Sequence, residues 1–116
     1  MIRSFKDLEV YNESYQLAIV INKLCIKLPT YEKHDLASQL RRASKSVPAN
    51  IAEGWAKRRF EKEFKKHLDS ALGSCNEMEV HISIAKDLDY LDKKLCEELT
   101  NKYIALGGKL TNLRNN

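Results

Sequence analysis

Glutamate and histidine stand four residues apart twice in this sequence, at Glu63/His67 and Glu77/His81, and a metal is the first chemistry such pairs suggest. A dimetal site in a helical bundle takes Glu-x-x-His from each of two helices and one more Glu from each of two others. Here the spacing is four, not three, and both pairs fall in one segment. They read as local ion pairs worth about 0.3 kcal/mol each, and no metal ligand set is assigned. His34, the third histidine, lies in a connecting stretch and reads as solvated. Nucleophilic catalysis needs a Ser or Cys set against a base on a strained turn or a cleft lip. Gly73-Ser74-Cys75 comes nearest, but it lies inside an apolar helical stripe, where small residues suit close helix approach. Gly107-Gly108 follows no strand and has no phosphate-loop context. The chain therefore reads as a non-enzyme, with no catalytic residue and no cofactor.

The chemistry that remains is charge. The formal net charge is +4, yet residues 41 to 66 hold nine Lys/Arg against three Asp/Glu. A local excess of that size attracts a polyanion, although a solvated helix face accounts for the same composition. Arg41 and Lys45 lie one helical turn apart, Lys57, Arg58 and Arg59 crowd a turn, and Lys62, Lys65 and Lys66 follow. These eight cations are the candidate nucleic-acid-binding residues, acting on phosphates without base specificity. Trp55 and Phe60 are interleaved with them, in positions to stack bases or to seal the end of a bundle, and for Trp55 core packing is the favoured duty. A second polar line, Gln39, Arg42, Ser46, Asn50 and Glu53, recurs at spacings of three and four. Ser and Asn are poor helix formers, so their presence predicts specific hydrogen bonds, with Ser74 and Glu77 as partners on the following segment.

These residues need long helices to position them. A length of 116 residues and 43% apolar content fit one domain spanning 1–116, and only four Gly and two Pro interrupt it. A first amphipathic segment runs from Asp7 to Leu28 through Leu8, Tyr11, Tyr15, Ala18, Ile21, Leu24 and Cys25, opened by a Ser4/Asp7 capping box and closed before Pro29. A polar stretch, Thr30 to Asp35, leads into Leu36, Leu40, Ala43, Val47, Ile51 and Trp55. Pro48 inside that second helix predicts a kink near Ser44 to Pro48, not a break. The third segment sustains a heptad stripe, Phe64, Leu68, Ala71, Cys75, Met78, Ile82 and Ala85. The fourth, capped by Asp92, carries Leu95, Leu99, Tyr103, Leu106, Leu110 and Leu113, with Gly107 and Gly108 expected to fray its end. No alternating strand or hairpin signal appears. Short connections make this an all-α, antiparallel up-down-up-down four-helix bundle.

Leu17 to Ile21, the most apolar run, is far too short to cross a membrane, and Met1 to Asp7 lacks the apolar core of a secretory signal. A cytoplasmic location is the expectation. Cys25, Cys75 and Cys96 are widely spaced among apolar neighbours and read as buried reduced thiols.

The run Gln39-Leu40-Arg41-Arg42-Ala43-Ser44-Lys45-Ser46-Val47-Pro48-Ala49-Asn50-Ile51-Ala52-Glu53-Gly54, followed by Phe64, Leu68, Ala71, Gly73-Ser74 and Glu77, resembles the four-helix-bundle proteins encoded in intervening sequences of bacterial 23S rRNA genes. Phe5-Lys6-Asp7-Leu8-Glu9-Val10-Tyr11 and Leu88-Asp89-Tyr90-Leu91 are similar to that family too, so the resemblance covers nearly the whole chain. It implies a left-handed bundle that assembles as a ring-shaped homopentamer, with no established enzymatic activity. The related accessory proteins of diversity-generating retroelements share the bundle and the pentamer and bind nucleic acid together with a reverse transcriptase. That likeness implies RNA or DNA as a partner for the basic segment, while a scaffold that docks a partner protein is the alternative. The chain departs from the family pattern at His34-Asp35, in place of Tyr-Gly, and at Ala71-Leu72-Gly73, in place of Ala-Arg-Gly, which removes an arginine from the family surface.

Overall fold

A computed structural model of the chain describes residues 1–116 and contains helices and turns but no strand. Four long helices, α1 (Glu9–Leu24), α2 (Leu36–Ala56), α3 (Glu61–Asp87) and α4 (Lys93–Asn115), are joined by short loops, the first of which contains two 3-10 turns, Cys25–Lys27 and Thr30–Glu32. The Ser4/Asp7 capping box forms, with the Lys6 N–H donating to Ser4 Oγ and the Ser4 N–H to the Asp7 carboxylate. It caps a 3-10 turn, Phe5–Asp7, not α1: Leu8 is extended, and α1 begins two residues later than the sequence suggested. The Asp92 carboxylate caps α4 by accepting the Leu95 N–H at 3.0 Å. Gly107 and Gly108 fray nothing, because the fourth helix continues to Asn115 over a buried Leu110. Pro48 has no N–H to offer the carbonyl one turn back, yet α2 runs unbroken past it, held by the buried Val47 and Ile51.

Cross-helix contacts fix the directions. Arg42, Ser46, Asn50 and Gly54 on α2 meet Glu77, Ser74, His67 and Phe64 on α3, so the numbers rise on one helix as they fall on the other. Leu72 and Asp69 of α3 meet Gly107 and Arg114 of α4 in the same sense, and Lys109 of α4 reaches back to Glu9 and Glu13 on α1. α3 therefore runs against α2 and α4, and α1 against α2, where Asn22 and then Cys25 meet Ser44 and then Ala37.

The core is filled by Ile21 of α1, Leu40, Val47 and Ile51 of α2, Leu68, Cys75, Met78 and Ile82 of α3, and Tyr103, Leu106 and Leu110 of α4. The inward face of α1 differs from the stripe read in the sequence. Tyr15 is 46% exposed, while Val10, Ser14 and Leu17 turn inward. Ser14 hides that register, because it is fully buried but polar, its hydroxyl satisfied by the Tyr11 carbonyl at 2.9 Å. The polar stretch before α2 is also less open than expected. Glu32 is buried, accepts the Tyr90 hydroxyl at 2.8 Å and the Leu36 N–H at 3.3 Å, and so ties the α1–α2 connection to the α3–α4 connection.

All three cysteines are free and buried. Burial pushes the Cys75 thiol up from its ordinary 9.0 to about 12, and burial likewise raises the Tyr103 hydroxyl, which has no hydrogen-bond partner. Both groups favour the fold only while neutral. That contribution is complete below about pH 9 and is lost as pH rises through 12. An unpartnered buried hydroxyl costs about 1 kcal/mol or more. Urea unfolding of Tyr103→Phe should therefore show a gain of about 1 kcal/mol at pH 8 and a shallower decline than wild type between pH 9 and 11.

Candidate nucleic-acid interface

The edge of the α2–α3 seam carries a ladder of polar contacts. Arg42 pairs with Glu77 and is held from its own helix by the Gln39 amide oxygen at 2.8 Å. Ser74 Oγ donates to Ser46 Oγ at 2.9 Å, and Asn50 Nδ2 donates to the Ser46 carbonyl and hydroxyl at 3.0 and 3.1 Å. Asn50 Oδ1 faces His67 Nδ1 at 3.2 Å, with the Glu53 carboxylate 3.7 Å from the same nitrogen. Of the two Glu/His pairs read as local, Glu77 and His81 do approach, at 3.6 Å. Glu63 and His67 do not: His67 crosses to α2, and Glu63 turns to Lys66 at 3.8 Å. The small-residue approach also lies elsewhere than expected. A Cβ at Gly73 would meet nothing within 4 Å, whereas one at Gly54 would lie 3.1 Å from His67 Cβ.

Close contact at Gly54 leaves the chain four residues, Lys57 to Phe60, in which to reverse. The turn is backbone-bonded: the Lys57 N–H reaches the Gly54 carbonyl, the Arg58 N–H that of Trp55 and the Phe60 N–H that of Lys57, at 3.1, 3.2 and 2.9 Å. Every residue from Ala56 to Lys62 is exposed. Lys57, Arg58, Arg59 and Lys62 have no carboxylate partner, whereas Lys65 pairs with Glu61 at 2.9 Å and Lys66 with Glu63. Lys65, by hydrogen bond and charge, holds the Glu61 carboxyl below its usual range. The first turn of α3 has no side-chain cap, so its free N–H groups add positive potential at the same corner. Beside it lies a shallow recess of about 540 Å³ lined by Lys62, Lys65, Lys66, Asp69, Ser70 and Arg114.

Six of the eight candidate cations are thus gathered at one end of the bundle. Arg41 and Lys45 are not among them, being about 24 and 18 Å up α2 at a rise of ~1.5 Å per residue. Arg41 instead donates to the Lys33 carbonyl at 2.9 Å and tempers the burial-raised thiol of Cys25. Arg114 was missed because it lies 48 residues beyond Lys66 and only the antiparallel return of α4 brings it there. It forms a two-point contact with Asp69, at 2.5 and 3.3 Å. Trp55 is half-buried and packs on the core, with the Arg58 guanidinium 4.3 Å from its ring, and Arg59 lies 5.8 Å from the ring of Phe60.

Residues 6–112, which take in the whole seam and the turn, match the 23S rRNA-intervening sequence protein family. The chain belongs to that family. The intervening-sequence fold recurs in the crystal structure of a protein of unknown function from the S23 ribosomal protein family of Bacteroides thetaiotaomicron, with a TM-score of 0.83 and 23% identity over 92% of this chain and 96% of that one. At such identity the likeness establishes the shared bundle alone. No curated protein matches the chain. No group of three or more His, Cys, Asp or Glu converges in this family member, and no helix is long and apolar enough to cross a membrane.

The seam geometry separates two glycines that look alike in sequence. Gly73→Ala, in open space, should raise stability by about 0.5–1 kcal/mol through helix propensity. Gly54→Ala forces two backbone-anchored Cβ atoms together and should lower it by about 1 kcal/mol or more, both read as urea midpoints.

Proposed function

We propose that this protein is a non-enzymatic oligomer that binds RNA or DNA through the phosphates, using the α2–α3 turn and the first turns of α3. The observation that carries the reading is the run of four exposed cations without carboxylate partners, Lys57, Arg58, Arg59 and Lys62, beside an uncapped helix start. Lys65, Lys66 and Arg114 extend the surface but are partly neutralised by Glu61, Glu63 and Asp69. Such a surface reads backbone charge, not sequence, and its affinity comes from counterion release. With about four phosphates engaged per subunit, the logarithm of the affinity falls against that of salt with a slope of about −3 to −4. Replacing Arg58, Arg59 and Lys62 together by Glu should abolish retention on heparin and on structured RNA; retention equal to wild type contradicts the assignment.

The family resemblance implies a ring-shaped homopentamer, and the chain offers a surface for self-association. Tyr15, Ile19 and Val20 of α1 are 40–46% exposed, and Val20 opens onto a groove of about 510 Å³ between α1 and α4 with Leu17, Leu95 and Leu99 in its lining. In a ring the basic corner is repeated on every subunit, so modest single-site affinities combine. Light scattering of the purified chain should give a multiple of 13.4 kDa, five-fold for a pentamer, and a monomer mass at micromolar concentration overturns this part of the proposal. The same groove favours the second reading, a scaffold that docks a partner protein, and capture of protein without nucleic acid supports it.

A further inference from the structure

Phe60 is the residue of the basic corner that the fold does not use. It occupies the N-cap position of α3, where Ser, Thr, Asp or Asn would satisfy a free N–H, and it makes no side-chain capping bond. Its ring is 60% exposed and is not among the aromatics packed against the core, unlike Trp55 and Phe64. It stands on an extended residue between Arg59 and the start of a 27-residue helix, with the Arg59 guanidinium 5.8 Å from its centroid. One turn back the Arg58 guanidinium lies 4.3 Å from the Trp55 ring, anchored by a 2.8 Å bond to the Trp55 carbonyl. Two guanidinium–ring pairs, Arg58 with Trp55 and Arg59 with Phe60, therefore share this turn with Lys57, whose ammonium lies 3.5 Å from His67 Nε2, and with Lys62, and neither lysine has a carboxylate partner.

A duplex presents phosphates to such a corner but keeps its base faces stacked inside, out of reach of a protruding ring. Unpaired nucleotides present both, and base faces of every kind stack on aromatic side chains without sequence preference. Resting on the nucleic-acid reading above, we propose that this corner selects unpaired stretches of RNA or DNA: Phe60 stacks on a base while Lys57 and Lys62 hold the adjoining phosphates. The arrangement distinguishes strandedness, not sequence.

The test is fluorescence anisotropy of the full-length chain with labelled oligouridylate, oligothymidylate and a blunt RNA duplex of equal length, at one moderate salt concentration. The single strands should bind more tightly than the duplex. Phe60→Ala should weaken single-strand binding by about ten-fold and leave duplex binding unchanged, and Phe60→Trp should restore it. Because the ring is exposed, far-ultraviolet circular dichroism of both variants should match wild type. Equal affinity for strands and duplex, or Phe60→Ala binding strands as wild type does, overturns the stacking role while leaving phosphate binding standing. Failure to bind any of the three probes at low salt removes the nucleic-acid reading and this one with it.

Discussion

Two long helices can pack closely only where the side chains between them are apolar, small, or matched by a partner, because an unmatched buried polar group costs more than its contact returns. The α2–α3 seam meets those conditions in sequence. Ala43, Val47 and Ile51 face Leu68, Ala71, Cys75 and Met78 in the core, the Ser46 and Ser74 hydroxyls join across the edge, and Gly54 lets the backbones draw together at the end. The polar ladder sets the register between the helices, since a slide of one turn would separate Arg42 from Glu77 and Asn50 from His67 together. Once Gly54 is against His67, the chain has to reverse at once. The residues that do so have no core to pack on.

Charge in this molecule is sorted by that geometry. Along the sides of the bundle Arg42 is met by Glu77 and Lys109 by Glu9 and Glu13, while cations such as Arg41, Lys45 and Lys102 stand along the helices without a carboxylate partner. At the α2–α3 corner the acidic residues that are present, Glu61 and Glu63, lie one turn before Lys65 and Lys66 and are taken up by them. Lys57, Arg58, Arg59 and Lys62 remain there without a carboxylate partner, exposed and close together in the chain. A net charge of +4 spread evenly would be an ordinary surface, whereas the same excess gathered at one corner forms a local field that a polyanion meets.

Much of this was legible in the sequence. The apolar periodicity of α2 and α3 is regular because both helices bury one continuous face, and polar residues inside α2 pointed to Ser74 and Glu77 because Ser and Asn are poor helix formers without a local partner. What escaped the sequence was not local. A stripe of apolar letters cannot show a buried serine satisfied by its own helix, so Ser14 concealed the true face of α1. Glu32 read as loop polarity because its partner, Tyr90, lies 58 residues away. Counting cations placed Arg41 and Lys45 with the turn cluster, although about three to four turns of α2 hold them apart. Arg114 entered the corner only through the return of α4. His67, four residues after Glu63, followed the seam in preference to the helix ladder, since crossing to Asn50 lets its ring be buried with a hydrogen bond.

Phosphate capture by the α2–α3 corner is tested most directly by backbone amide chemical-shift mapping of the full chain during titration with oligouridylate. Binding there predicts perturbations centred on Trp55 to Lys66 and on Arg114, with α1 and the middle of α4 unmoved. Perturbations centred on the α1–α4 groove or around Arg41 and Lys45, with the Lys57 to Phe60 amides unchanged, would contradict it.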